Sequence, residues 1–352
     1  MSVNYGLADM SGAEQEQLQA ELTTVAPDHA VVHRGSEVCV FDGLTPDTDY
    51  EIGGFAFRTL PARGELLATV ATVNDVHFGE TECGHIEGDD VGPVLSSLPG
   101  EDPYPEIMNR GAVAEITALD PAVVIAKGDL TSTGSEDEYH RFLEVYGDAF
   151  GSKLHHVRGN HDACHGGRFA AFPMQRIELP GVIVALIDTA IEEWASGRVT
   201  TEQLDWLDAL AADADRPVLA MGHHHCWNPA SLNRDPYYFG INPDDSEALI
   251  EVVRRRPSIV GYFAGHTHRN RRQAFDATGD VPWVEVASVK DFPGSWAEYR
   301  VHDGGIVQVH HRISTSEALR WTDRTRAMFG GAYPIYSFGE LADRCFEVPL
   351  RR

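Results

Sequence analysis

An α/β architecture, a layered domain preceded by a small N-terminal β appendage, is what the amino-acid sequence points to, and three features carry the expectation. From Glu65 onward, short apolar runs suited to buried strands alternate with longer helical patterns. Residues 1–64 lack that alternation and offer only brief β-like runs. A chain of 352 residues, 43% hydrophobic and 23% charged, has an ordinary globular composition and enough length for one large domain plus an appendage.

Taken in order, residues 11–22 read as a short polar helix, with Ser11 and Glu14 spaced as a capping box. Brief β-like runs follow at 30–33, 38–41 and 55–59. Tyr50 is placed like the tyrosine corner of fibronectin- or immunoglobulin-like sandwiches. A full sandwich needs about a hundred residues. Residues 1–64 are therefore expected to form a truncated one, or an irregular arm. The main domain is expected over 65–315. Its buried strands are 66–73, 122–126, 182–187, 218–221 and 259–264, with 154–157 weaker because His155 and His156 interrupt it. Helices are expected at 107–119, 136–150, 201–212 and 245–255, the third opened by the capping pattern Thr200-Thr201-Glu202-Gln203. Residues 316–352, rich in aromatics, read as an extension packed on that domain.

Composition also excludes. Acidic residues number 54 against 28 basic ones, a net charge of −26, which disfavours long nucleic acid and anionic membrane as partners. No apolar run reaches the roughly 18 residues of a membrane-spanning helix. The first thirty residues lack the apolar stretch of a secretory signal. Five scattered cysteines, never spaced Cys-x-x-Cys, fit free thiols in a reducing compartment, so a cytoplasmic location is expected. The oligomeric state is left open, a homodimer included.

The chemistry lies where polar residues end the apolar runs. The five ends read Asn74-Asp75-Val76-His77, Lys127-Gly128-Asp129, Arg158-Gly159-Asn160-His161-Asp162, Gly222-His223-His224-His225 and Gly265-His266-Thr267-His268. Metal-ligand residue types thus fall at the carboxyl ends of strands, where open α/β sheets place their ligands. Spacing of two in Asp75/His77 and His266/His268 points both side chains the same way from an extended segment. Singly, each Asp could be a helix cap and each His a satisfied polar residue. Five together are not explained by capping.

This ordered set resembles the calcineurin-like metallophosphoesterase superfamily over roughly residues 65–315, notably its bacterial cyclic-nucleotide branch, with some likeness to purple acid phosphatases. The resemblance implies a layered sandwich of two mixed β-sheets flanked by helices. It also implies two divalent ions: Asp75, His77 and His268 on one, Asn160, His223 and His266 on the other, and Asp129 between them. His161, steadied by Asp162, would act as general acid, and a hydroxide bridging the ions would attack phosphorus in line. Such a centre keeps about one net positive charge, which suits a phosphoester. His223 directly follows the buried strand, but His224 stays open as its rival, because a one-residue slip reverses the face. Purple acid phosphatases carry a Tyr where this chain has Ser132, so Mn(II) or Fe(II) is favoured over a ferric–tyrosinate centre, with Zn(II) a further candidate.

A small phosphodiester such as a cyclic nucleotide is the expected substrate. A phosphomonoesterase and a metal-free binding scaffold are the alternatives, the latter disfavoured by the full ligand set. Two loops remain as candidates for choosing substrate: 78–105, with Cys83, His85 and the acidic run at 87–90, and 226–244, with Trp227, Tyr237, Tyr238 and Phe239. Either could close over a substrate or simply pack on the core.

Overall fold

The computed structural model describes residues 19–85, 91–164 and 168–351. Near its start, strands β1 (Glu21–Val25), β2 (His29–Arg34) and β3 (Glu37–Asp42) form an antiparallel sheet, and β4 (Asp49–Ile52) and β5 (Phe55–Arg58) a hairpin. The expected helix at 11–22 falls mostly outside the described residues, and its last two, Glu21 and Leu22, open β1 instead. Tyr50 does accept a bond from the Thr45 amide at 2.9 Å, the local closure expected of it.

Two six-stranded mixed sheets follow. The chain runs through β6 (Leu66–Val73), β7 (Val123–Lys127) and β8 (Leu154–Val157), then β9 (Met174–Leu179) and β10 (Val182–Ile187). After the small hairpin β11 (Ala190–Ile191) and β12 (Trp194–Gly197) come β13 (Val218–Met221), β14 (Ile259–Ala264), β15 (Arg271–Gln273) and β16 (Trp283–Glu285). A long hairpin, β17 (Ser295–His302) and β18 (Gly305–Arg312), and the edge strand β19 (Phe346–Val348) complete the set. One sheet has the order β19-β18-β17-β6-β7-β8, the other β15-β16-β14-β13-β10-β9. Strands β6, β7 and β8 are parallel to one another, as are β10, β13, β14 and β16.

Side-chain alternation explains the layering. Val182, Val184 and Leu186 of β10 face the other sheet and meet Val70, Ile125 and Tyr299 there. Their neighbours Ile183, Ala185 and Ile187 face outward, beneath the helices Thr201–Asp213 and Pro243–Arg255. On the first sheet Ala71, Val73, Val124 and Ala126 turn toward the helix Tyr104–Leu119 and the segment that starts at Glu136. A strand with both faces covered must be apolar on both, which is why these strands read as uninterrupted apolar runs. The third helix is capped as expected, with Gln203 N bonded to Thr200 Oγ1 and Gln203 Oε1 accepting from Thr200 N. The helix expected at 107–119 begins earlier, at Tyr104, because Pro105 fits the first turn of a helix. Among the described residues, no helix is long and apolar enough to cross a membrane.

Candidate metal centre

The polar segments that follow β6, β7, β8, β13 and β14 converge on one edge. Asp75, His77, Asp129, His266 and His268 all have left-handed backbone, with φ of 54°, 46°, 51°, 70° and 54°. That conformation costs a non-glycine residue energy and gathers at functional sites. Backbone bonds impose it here. Asp75 N donates to Gly128 O, Val76 N and His77 N to Asp129 O, and Phe78 N to Leu130 O, all at 2.9–3.1 Å. The loop after β6 is thereby zipped to the loop after β7. Glycine is required at the crossing: a Cβ on Gly128 would lie 2.7 Å from His223 Nδ1, and one on Gly159 would lie 2.2 Å from Asp129 Oδ1. Beneath the edge, the buried Lys127 ammonium donates to Ala264 O at 2.8 Å and ties the two sheets together. Burial pushes its pKa down to about 7.

Asp129 Oδ2 lies 3.3 Å from His223 Nε2 and 3.5 Å from His77 Nε2. Asp75 Oδ1 lies 3.3 Å from His268 Nε2, and Asn160 Oδ1 lies 3.2 Å from His223 Nε2. Candidate ligand atoms fall within 4.8 Å of one another in the sets Asp75/His77/His268, Asp75/Asp129/His223, His77/Asp129/His161 and His223/His224/His266. Asp75 Oδ1, both ring nitrogens of His77 and His266 Nε2 are buried without a hydrogen-bond partner. Leaving such atoms unpaired costs about 1–3 kcal/mol each. Two carboxylates, one amide and several imidazoles facing each other with unspent lone pairs form a donor set that fits divalent cations. Burial opposes charge here. Even so, the His268 and His223 imidazoles hold Asp75 down at about 2, and Asp129 holds His223 up at about 9 against burial. An incoming cation must displace those imidazole protons, so uptake is favoured as pH rises.

All seven expected ligand residues therefore meet at one edge, and the rivalry in the histidine triplet acquires a geometry. His223 donates from Nδ1 to Lys127 O at 2.9 Å, which leaves Nε2 facing Asp129 and Asn160. His224 is tied through Nδ1 to Thr189 Oγ1 at 2.8 Å, yet its ring sits 4.5 Å from that of His266. His225 turns away and pairs with Tyr238 OH. His161 packs its ring 4.5 Å from that of His77.

One expected contact is replaced. Asp162 does not steady the His161 ring, because its carboxylate is spent on the amides of Gly159, Leu130 and Thr131 and on Thr131 Oγ1. It clamps the loops after β7 and β8 instead, and His161 Nδ1 donates to Ser132 O at 2.8 Å.

Sequence reasoning missed a group behind the first histidines. Lys290 Nζ is buried and lies 2.8 Å from Glu80 Oε2 and 3.0 Å from Asp291 Oδ2. Asp291 Oδ2 stands 3.3 Å from His268 Nδ1, and Glu80 Oε1 stands 3.6 Å from His77 Nδ1. No spacing in the sequence joins residues 80, 290 and 291. The only signal was a lone charged pair, Lys290-Asp291, in an otherwise apolar stretch.

A cleft of about 950 Å³ opens over the edge. His77, Asp129, Asn160, His266 and His268 form its floor, and Phe239, Met328, Phe329, Tyr333 and Tyr336 contribute walls. Of the aromatics flagged at 226–244, Phe239 alone lines it, its ring 4.0 Å from that of His266. Trp227 is buried against the core, while Tyr237 is exposed and stacks on Trp194. In the 78–105 loop, Cys83 and Leu95 exchange backbone bonds at 2.9 Å and His85 reaches the cleft. The acidic run at 87–90 lies outside the described residues.

The family model for calcineurin-like phosphoesterases matches residues 68–270. Glycerophosphodiester phosphodiesterase GpdQ of Enterobacter lignolyticus is 29% identical over 189 residues, a match covering 48% of this chain and 66% of that protein, just under two thirds. A probable cyclic nucleotide phosphodiesterase of Synechococcus sp. is 27% identical over 213 residues, covering 58% of this chain and 78% of that protein. Among solved structures, a dimetal phosphatase from Danio rerio shares the fold with a TM-score of 0.52 at 18% identity, covering 70% of this chain and 97% of the other.

Proposed function

Because this chain belongs to the calcineurin-like phosphoesterase family, whose members are metal-dependent phosphoester hydrolases, we propose that it cleaves a small phosphodiester bearing a planar, apolar group, with a cyclic nucleotide the best fit. The observation that carries the choice is the wall opposite the ligand floor. Phe239, Phe329 and Tyr336 offer aromatic faces to a nucleobase, worth about 1–3 kcal/mol per stacked base, and offer a polyol little. Phe329 is held in left-handed backbone, φ 52°, unusual for so bulky a side chain and consistent with a fixed task.

Asp75, His77 and His268 would hold one divalent ion, and Asn160, His223 and His266 the other, with Asp129 between them. Mn(II) or Fe(II) suits this mixed oxygen and nitrogen set, with Zn(II) a further candidate. When bound, the pair supplies Lewis acidity and a water activated at neutral pH. The protein's own contribution is proton placement. A carbonyl oxygen only accepts, so the bond to Ser132 O fixes the proton on His161 Nδ1. As the imidazolium, His161 would then carry its second proton on Nε2, the atom that would hand it to the departing oxygen. Asp129 Oδ1 accepts the His161 amide at 2.8 Å and keeps this residue in register with the floor. Cytoplasmic residence is supported by the free state of all five cysteines.

The test is a turnover panel on metal-stripped protein reconstituted with Mn(II). Cyclic nucleotides should give the highest kcat/KM, and Phe329→Ala should lower it about 5- to 100-fold on them while leaving glycerophosphodiesters nearly unchanged. Faster turnover of nucleoside monophosphates would turn the reading toward a phosphomonoesterase.

A further inference from the structure

Lys290 is not among the candidate ligands, yet its ammonium is buried between two carboxylates that each face a different imidazole of the floor. Glu80 is further fixed by Tyr104 OH at 2.5 Å, and Asp291 by Ser288 Oγ at 2.5 Å and Tyr333 OH at 2.6 Å. Trp321 Nε1 donates to the Lys290 carbonyl at 2.7 Å and stacks on Tyr104 with centroids 4.1 Å apart. Five separate chain segments thus build one frame around a single ammonium.

We propose that Lys290 is a positioning residue which, by joining Glu80 to Asp291, sets His77 and His268 together as ligands of a single ion. The inference rests on the two-ion reading above. Its physical basis is that a carboxylate behind Nδ1 fixes the ring's tautomer and strengthens Nε2 as a donor. Two such carboxylates buried side by side repel each other, and a shared cation is what lets both stay ionised and aimed. Without the ammonium nothing would join the two carboxylates, one would swing away, and one imidazole would lose its backing.

Mn(II) titration of the stripped protein by calorimetry, with elemental analysis, tests this. Native protein should bind two ions. Lys290→Met should keep one tight ion and weaken the other about 10- to 100-fold, the usual effect of losing an outer partner. Lys290→Arg should restore most of that loss. The affected ion is located with His266→Ala. That variant alone should keep one tight ion, and combined with Lys290→Met it should keep none. Should Lys290→Met fail to fold, Glu80→Gln, which retains the size and one bond, should show the same one-ion weakening. Two tight ions in Lys290→Met with a raised KM would mean that Lys290 meets the substrate directly, which overturns the inference and leaves the two-ion reading intact. Native protein that binds no ion would overturn both.

Discussion

Behind His77 and His268 stand two carboxylates and a shared ammonium, whereas the groups behind the rings of His223 and His266 are neutral. Lys127 gives His223 only a backbone carbonyl, and Phe239 gives His266 an aromatic face. The two candidate sets each offer two imidazoles but differ in the third member, the Asp75 carboxylate against the Asn160 amide, and in what backs the rings. Charged backing makes an imidazole a stronger and better-aimed donor, and neutral backing leaves it adaptable. On the two-ion reading proposed above, one half of the cleft would keep its ion, and the other, nearer Phe239, would share its ion with what enters the cleft.

Four substitutions probe that contrast, ranked by the ions each removes. Asp129→Ala takes away the carboxylate common to both halves, so elemental analysis should find both ions lost. Turnover should fall by more than the roughly 10³-fold that removal of one transition-state hydrogen-bond donor costs. His223→Ala should empty only the neutral half, because its Nε2 is the nitrogen aimed at Asp129 and Asn160. His224→Ala should spare metal content, and metal lost from His224→Ala instead would reverse the assignment within the triplet. His161→Ala should remove neither ion yet slow turnover about 10²- to 10⁴-fold. Its penalty should shrink on p-nitrophenyl esters, whose leaving group needs little proton. An equal penalty on good and poor leaving groups would end the role of His161 as acid.

What could be read in advance followed from burial. Strands β10, β13 and β14 occupy the apolar runs that announced them, since both faces of each are covered and no polar residue interrupts. Strands β6 and β8 were placed as well, although Leu66 and Leu67 are exposed and His155 and His156 interrupt β8. The candidate ligand residues were legible because a metal centre would need polar groups at the ends of such runs. The β17–β18 hairpin escaped notice because it alternates. In β17, Ala297, Tyr299 and Val301 enter the sandwich, while Glu298 and Arg300 between them pair with each other, so no run forms. The Lys290 frame and the aromatic wall escaped for a different reason. Their members are brought together only by the fold, as when Tyr333 reaches Asp291. Asp162 misled because its place in the motif suggested a partner for His161, whereas its oxygens were already claimed by backbone amides.

The left-handed residues of the ligand edge bear on how long the protein survives as well as on how it works. Five such conformations, at about 1–3 kcal/mol each, weigh heavily against the 5–15 kcal/mol that ordinarily separates a folded chain from an unfolded one. An ion at a hundred times its dissociation constant returns about 2.7 kcal/mol by mass action. The native state of this chain is therefore expected to lean on metal supply for its margin against unfolding. In a starved cell, proteolysis of the unfolded fraction would thin the population of molecules as well as silence those that remain.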